Sequence, residues 1–140
     1  MLFRSHSIAI ERGIKGSVDV PIDRHRILQI FVNLIANARD SIAAHAKNEP
    51  SERKIGIAVD TDGGWLQIAV EDTGGGISPE LQLKIFSAGF TTKPKGHGYG
   101  LHSSALAAEQ LGGTLRCHSA GPGKGACFTL RVPIARSHVE

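Results

Sequence analysis

Between residues 24 and 46 the apolar side chains recur at helical spacing, and the helix they predict cannot stand alone. At about 100° per residue, Ile27, Ile30, Phe31, Leu34, Ile35, Ala38 and Ile42 fill one arc. Leu28, Val32, Ala36 and Ala43 lie opposite, where a surface helix is normally charged, with only Arg39 and His25 as exceptions. This predicts a helix covered on more than one side. Beside the apolar arc runs a narrow stripe of Asn33, Asn37 and Asp40, extended toward the N-terminus by Arg26 and Gln29. Asn and Asp are poor helix formers, and a confined amide without a partner loses about 1–3 kcal/mol. The stripe therefore points to a polar ligand. Taken by itself it is explained equally well as a solvated face with three incidental polar residues, and the motifs further along decide between the two.

A chain of 140 residues suits one α/β domain, expected to span 1–140, and is short for two. With 41% hydrophobic and 21% charged residues it reads as globular. No apolar run approaches the roughly 20 residues that cross a bilayer, and Met-Leu-Phe-Arg-Ser makes no signal peptide, so a cytoplasmic domain without membrane contact is expected. The formal charge of +3 comes from scattered Lys and Arg, which argues against nucleic acid and suits a polyphosphate ligand. Cys117 and Cys127 lack metal-type spacing and read as reduced, partly buried thiols.

Alternation predicts two short strands around Ile8–Ile10 and Val18–Ile22, joined by a turn at residues 13 to 16. Asp23 caps the long helix, with Ile22 and Ile27 placed as a hydrophobic staple. Ile55, Ile57, Val59 and then Leu66, Ile68, Val70 form a hairpin about Asp62-Gly63-Gly64. Ser78-Pro79-Glu80 starts a short helix over about 79 to 87. Residues 87 to 99, rich in glycine and carrying Lys93 and Lys95 with Lys84 just before them, read as a mobile lid. Leu101, Ala105, Ala108 and Leu111 mark a helix stopped by Gly112-Gly113, and strands follow at 114 to 118 and 126 to 132.

Four elements occur in order: Asn33-x-x-x-Asn37-Ala38, Asp72-Thr-Gly-Gly-Gly76-Ile77, Ile85-Phe86-x-x-x-Phe90-Thr91-Thr92-Lys93 and Gly96-His97-Gly98-Tyr99-Gly100-Leu101. Together they resemble the asparagine, first glycine, phenylalanine and second glycine boxes of the ATP-binding catalytic domain of sensor histidine kinases, in the GHKL superfamily. Gly123-Lys-Gly125-Ala126-x-Phe128-Thr129 is similar to the family's last glycine motif. The resemblance runs from about Val18 to Pro133, and four ordered elements are far more specific than one glycine cluster. Phe90-Thr91-Thr92-Lys93 is similar, more loosely, to kinases of the nitrogen-regulation type.

The chemistry of these residues agrees. Asp72 ends a strand and opens a glycine turn, where a carboxylate can accept from the exocyclic amine of adenine while Gly74 and Gly76 let backbone approach the ring; guanine presents an oxygen there. Asn33 and Asn37 offer neutral oxygens to Mg2+, which keeps waters and phosphate oxygens as its other ligands. The resemblance makes Asn37 the usual metal ligand, puts Asn33 near metal and phosphates, and adds Asp40, Ile77, Thr92, His97, Tyr99 and Leu101 to the nucleotide site. Gly96, Gly98 and Gly100 precede a helix whose N–H groups can hold phosphate oxygens, with Lys93 as a point charge. Thr129 is implied to join the adenine network through water, or else faces solvent. ATP-hydrolysing relatives such as gyrases and Hsp90 chaperones carry a glutamate where this chain has Asn33, so phosphoryl transfer is expected over hydrolysis.

The resemblance implies a two-layer α/β sandwich of the Bergerat type, with a mixed sheet of about five strands and about three helices on one face. It implies ATP and Mg2+ as cofactors, a protein-histidine kinase activity, a response regulator as partner and a homodimeric full-length protein. The kinase acceptor histidine is usually followed by an acidic residue, whereas His6, His25, His45, His97, His102, His118 and His138 are followed by Ser, Arg, Ala, Gly, Ser, Ser and Val. The phosphoacceptor and dimerisation hairpin is thus expected to lie outside this chain. An ATPase or chaperone-type motor and a non-enzymatic nucleotide sensor are the alternatives.

Overall fold

The computed structural model describes residues 2–3, 8–14, 23–45, 53–88 and 100–134. In chain order the elements are β1 (Leu2–Phe3), β2 (Ile8–Ile14), α1 (Arg24–Ala44), β3 (Lys54–Asp62), β4 (Trp65–Asp72), α2 (Pro79–Gln82), α3 (Gly100–Gln110), β5 (Thr114–His118) and β6 (Ala126–Pro133). They build one six-stranded sheet in the order β1-β2-β3-β4-β6-β5. Its body is the antiparallel set β3, β4, β6 and β5; β2 joins β3 in parallel, which makes the sheet mixed as expected.

Strand alternation separates the two faces. Leu66, Ile68 and Val70 of β4 and Ala126, Phe128, Leu130 and Val132 of β6 are buried beneath the helices. They meet Ile27, Ile30, Leu34, Ala38 and Ile42 of α1 and Ala108 of α3. The register sets Asp72 opposite Ala126 and Val70 opposite Phe128, on this helical face. On the other face Arg131 stacks over Trp65 with its guanidinium 4.0 Å from the ring centroid.

Local signals govern the ends. The Asp23 carboxylate accepts from the Arg26 amide (3.2 Å) and caps α1, which stops at Ala44, two residues short of the expectation. Ser78 caps α2, but after Gln82 the backbone passes into turns over 83–86, so the helix is shorter than the 79 to 87 expected. β2 runs straight through Gly13 to Ile14, where a turn was expected; Ile22, Val18 and Val20 lie outside the described residues. The outer face of α1 also departs from expectation: Val32 is 61% and Leu28 51% exposed, so among the described residues the helix is covered on one side. No helix among these residues is long and apolar enough to cross a membrane.

Candidate functional site

Among the described residues the buried polar side chains are Asp72, Ser104 and Ser119. Asp72 and Ser119 lie at one end of the sheet, where β4 and β5 finish, and Ser104 lies in the first half of α3. Asp72 is 3% exposed. One carboxylate oxygen, Oδ1, accepts from the Gly74 amide at 2.8 Å, while Oδ2 is enclosed without a hydrogen bond of ordinary geometry. Burial pushes its pKa from 3.8 up to about 6; the Gly74 and Ala126 amides pull it back, Glu71 adds to the rise, and the Ser41 hydroxyl lowers it slightly. A buried acceptor lacking a donor is expensive, and an N–H of a ligand would satisfy it.

The turn after Asp72 is locked by close packing. A Cβ on Gly74 would stand 2.3 Å from Ser41 Oγ and 2.7 Å from the Ser41 backbone, so this turn lies directly on α1. Gly76 (φ +71°) likewise abuts the Gly121 carbonyl, where a Cβ would come within 2.1 Å. Both glycines therefore serve backbone packing as well as any approach to a ring. Ser119 joins the two loops: its hydroxyl accepts from the Ile77 amide (3.0 Å) and the Gly121 amide (3.2 Å) and donates to the Gly125 carbonyl (2.6 Å). Gln82 Nε2 donates to the Ile77 and Ser119 carbonyls, and the Gly123 amide to Gly75.

Across from this corner stands the α1 stripe. Asn33, Asn37 and Asp40 are each half-buried. Asn33 Nδ2 donates to Ser104 Oγ at 3.0 Å and reaches the Gly100 carbonyl at 3.4 Å, which ties α1 to the start of α3. Asp40 lies 3.5 Å from the Arg39 guanidinium. His102 Nδ1 meets the Phe86 carbonyl at 2.9 Å, and Phe86 packs edge-on against Phe128 with ring centroids 6.1 Å apart. The structure thus brings Asn33, Gly100 and Leu101 onto one side, and Asp72, Gly74, Gly76 and Ile77 onto the other. Thr92, Lys93, Gly96, His97, Gly98 and Tyr99 lie outside the described residues.

Thr129 is placed elsewhere. It pairs with Ala69 and Arg116 on the face away from the helices, and its hydroxyl lies 3.8 Å from Cys127 Sγ. The residue opposite Asp72 is Ala126, so the water-bridged role implied for Thr129 has no support in this geometry. The reason is parity: three positions along a strand reverse the face. Cys117 and Cys127 are free and half-buried, and burial, then Asp72, pushes the Cys117 thiol up to about 12.

The chain matches the family model described as histidine kinase-, DNA gyrase B- and HSP90-like ATPase over residues 22–136. The chain belongs to this family. The relatives it resembles are sensor kinases: the two-component sensor PprA of Pseudomonas aeruginosa is 33% identical over 94% of this chain. The chain spans only 14% of that relative's length. Among solved structures, the catalytic domain of histidine kinase ThkA is 30% identical with a TM-score of 0.77, over 93% of this chain and 81% of that one. Full-length ShkA in complex with AMPPNP is 25% identical with a TM-score of 0.80, over 97% of this chain and 27% of that one. The resemblance read from the boxes, and the α/β sandwich it implied, therefore hold.

An adenine nucleotide fits the donor and acceptor set. Asp72 Oδ2 is a buried acceptor without a hydrogen bond of ordinary geometry, the kind of group an exocyclic amine satisfies, and the asparagine stripe supplies neutral oxygens of the kind a cation arriving with anionic phosphates takes. Ser104 and Ser119 were not among the residues singled out from sequence. Ser104 had a signal, since Leu101, Ser104, Ala108 and Leu111 share the inward stripe of α3, where a serine needs a partner. Ser119 follows a strand and precedes a glycine-rich loop, a context shared by many solvent-facing serines.

Proposed function

We propose that the chain is the ATP-binding catalytic domain of a two-component sensor histidine kinase, spanning residues 1–140 and working on the cytoplasmic side. Asp72 reads the exocyclic amine of adenine, and Gly74, Gly76 and Ile77 hold the turn that carries it. Asn37 with Asn33 holds Mg2+, and Asp40 extends their polar stripe. Thr92, Lys93, Gly96, His97, Gly98, Tyr99, Gly100 and Leu101 surround the phosphates, with Lys93 as a point charge. When bound, Mg2+ neutralises charge on the phosphate oxygens. This chain's own contribution is positioning: it holds the γ-phosphoryl group in line for a histidine on a separate dimerisation and phosphoacceptor domain, from which an aspartate of a response regulator receives it. The full-length protein acts as a homodimer.

What supports this reading is the buried Asp72 carboxylate at the end of β4, whose Oδ2 has no hydrogen bond among the described residues, in a fold whose α1 carries the half-buried stripe of Asn33, Asn37 and Asp40. Asn33 supports transfer over hydrolysis, because an amide has no basic lone pair to take a proton from water. Calorimetric titration with ATP and GTP, each with and without Mg2+, tests it. ATP is expected to bind and GTP not, and Asn37→Ala should weaken binding more with Mg2+ than without. Equal affinity for the two bases rejects the adenine assignment, and steady hydrolysis by the chain alone at the rate of a working ATPase favours the motor reading.

A further inference from the structure

Asn33 has two N–H donors and one oxygen acceptor. In this structure its nitrogen faces α3, 3.0 Å from Ser104 Oγ and 3.4 Å from the Gly100 carbonyl. The orientation of a carboxamide is decided by its surroundings, and a carbonyl can only accept, so the nitrogen belongs on this side. Turning the amide over would set its oxygen against the Gly100 carbonyl and leave Ser104, 1% exposed, as the sole donor. With the nitrogen held at α3, the oxygen is the group left to face away from it, along the stripe shared with Asn37 one turn on.

We propose that Ser104 is a positioning residue of the nucleotide site: it holds the Asn33 amide in the orientation that presents its oxygen to the bound cation. The serine touches neither nucleotide nor metal and acts through Asn33 alone. Helix α3 suits this task. Ala108 beneath it is fully buried, and His102 pins its first turn to the Phe86 carbonyl, so the hydroxyl has a fixed address. The inference rests on the metal-binding reading of the asparagine stripe.

The test is calorimetric titration of the 140-residue chain with ATP, in Mg2+ and in EDTA, for Ser104→Ala, Ser104→Thr, Asn33→Ala, Asn37→Ala and the Ser104→Ala/Asn33→Ala pair. Ser104→Ala should weaken Mg2+-ATP binding roughly three- to tenfold, the effect of one hydrogen bond, and leave metal-free binding within about twofold. Ser104→Thr, which keeps the hydroxyl, should return the affinity to within about twofold of the parent. The double variant should lose no more than Asn33→Ala alone, since the serine works through the amide. Equal losses with and without metal, failure of threonine to restore binding, or additive losses in the pair each overturn the role of Ser104. If Asn33→Ala and Asn37→Ala are themselves indifferent to metal, the metal-binding reading falls and takes this proposal with it. A metal-selective loss in both asparagine variants but none in Ser104→Ala removes the serine alone.

Discussion

The two halves of the site are built on different principles. Asp72 sits at the end of a central strand, in a corner where two glycine loops are joined by Ser119 and the first of them, at Gly74, is pressed onto α1. Asn33, Asn37 and Asp40 lie half-buried along one helix, with Asn33 leaning on α3. The Asp72 half, proposed above to read the base, carries the cost of a buried carboxylate oxygen without a hydrogen bond among the described residues. The asparagine half, proposed above to hold the metal, is only half-buried, so its polar groups cost less to leave without a ligand. Selectivity for a base needs fixed geometry, whereas a hydrated cation with phosphate ligands tolerates a looser frame. The halves should therefore answer differently to the same kind of substitution.

The largest difference is expected at Asp72. Well below pH 3.8 its carboxyl is protonated in folded and unfolded chain alike. Between 3.8 and about 6 the folded state keeps the proton that the unfolded state releases. Stability of the ligand-free chain should therefore fall as pH rises through that window and level off above it, by up to about 3 kcal/mol. Asp72→Asn should remove this dependence and raise stability at pH 7.5 by about 1–3 kcal/mol. It should also weaken ATP binding roughly 100-fold, because an amine would then face an amide nitrogen. Denaturant melts at pH 4 and pH 7.5 beside an ATP titration measure both. A variant that binds ATP normally, or is destabilised at neutral pH, removes the contrast between the halves.

Gly76→Ala is expected to come next. The new methyl would meet the Gly121 carbonyl at 2.1 Å with φ at +71°, and both loops must shift. A loss of about 2–4 kcal/mol follows, read as a lower denaturant midpoint with an unchanged slope. A loss below about 1 kcal/mol would show that the corner is soft and that the geometry read at Asp72 is not held by its loops.

These two sites also show how far the sequence could be read. Asp72, the glycines behind it and the asparagine stripe declare themselves because spacing alone puts them together: helical period for the stripe, strand end plus glycine turn for the acid. The hairpin, the long helix with its Asp23 cap and the last two strands are equally local, and they stand as expected. What stayed hidden depends on pairing between distant segments. Thr129 was drawn into the adenine network because motif proximity says nothing about parity, and only the register opposite Asp72 reveals Ala126 there. Ser119 and Ser104 act across 42 and 71 positions of chain, beyond any window in which periodicity operates. Helix α2 is also shorter than its local signals imply: the backbone after Gln82 passes into turns, and the Gln82 side chain donates to the Ile77 and Ser119 carbonyls, the latter 37 positions away.

The smallest effect is expected on the outer face of α1. Leu28, Val32, Ala36 and Ala43 read as a second covered surface, yet Val32 is 61% exposed. Val32→Lys exchanges a solvated β-branched residue for a better helix former and should change stability by less than about 0.5 kcal/mol. Its neighbour in sequence, Asn33, faces α3, away from Val32, so Val32→Lys should leave ATP affinity within about twofold with or without Mg2+. A destabilisation above about 1 kcal/mol would mean that this face is covered after all, and the two-sided helix inferred from its apolar residues would be restored. Normal stability with a metal-selective loss of ATP affinity would instead extend the binding half of the molecule around the helix, beyond the stripe of Asn33, Asn37 and Asp40.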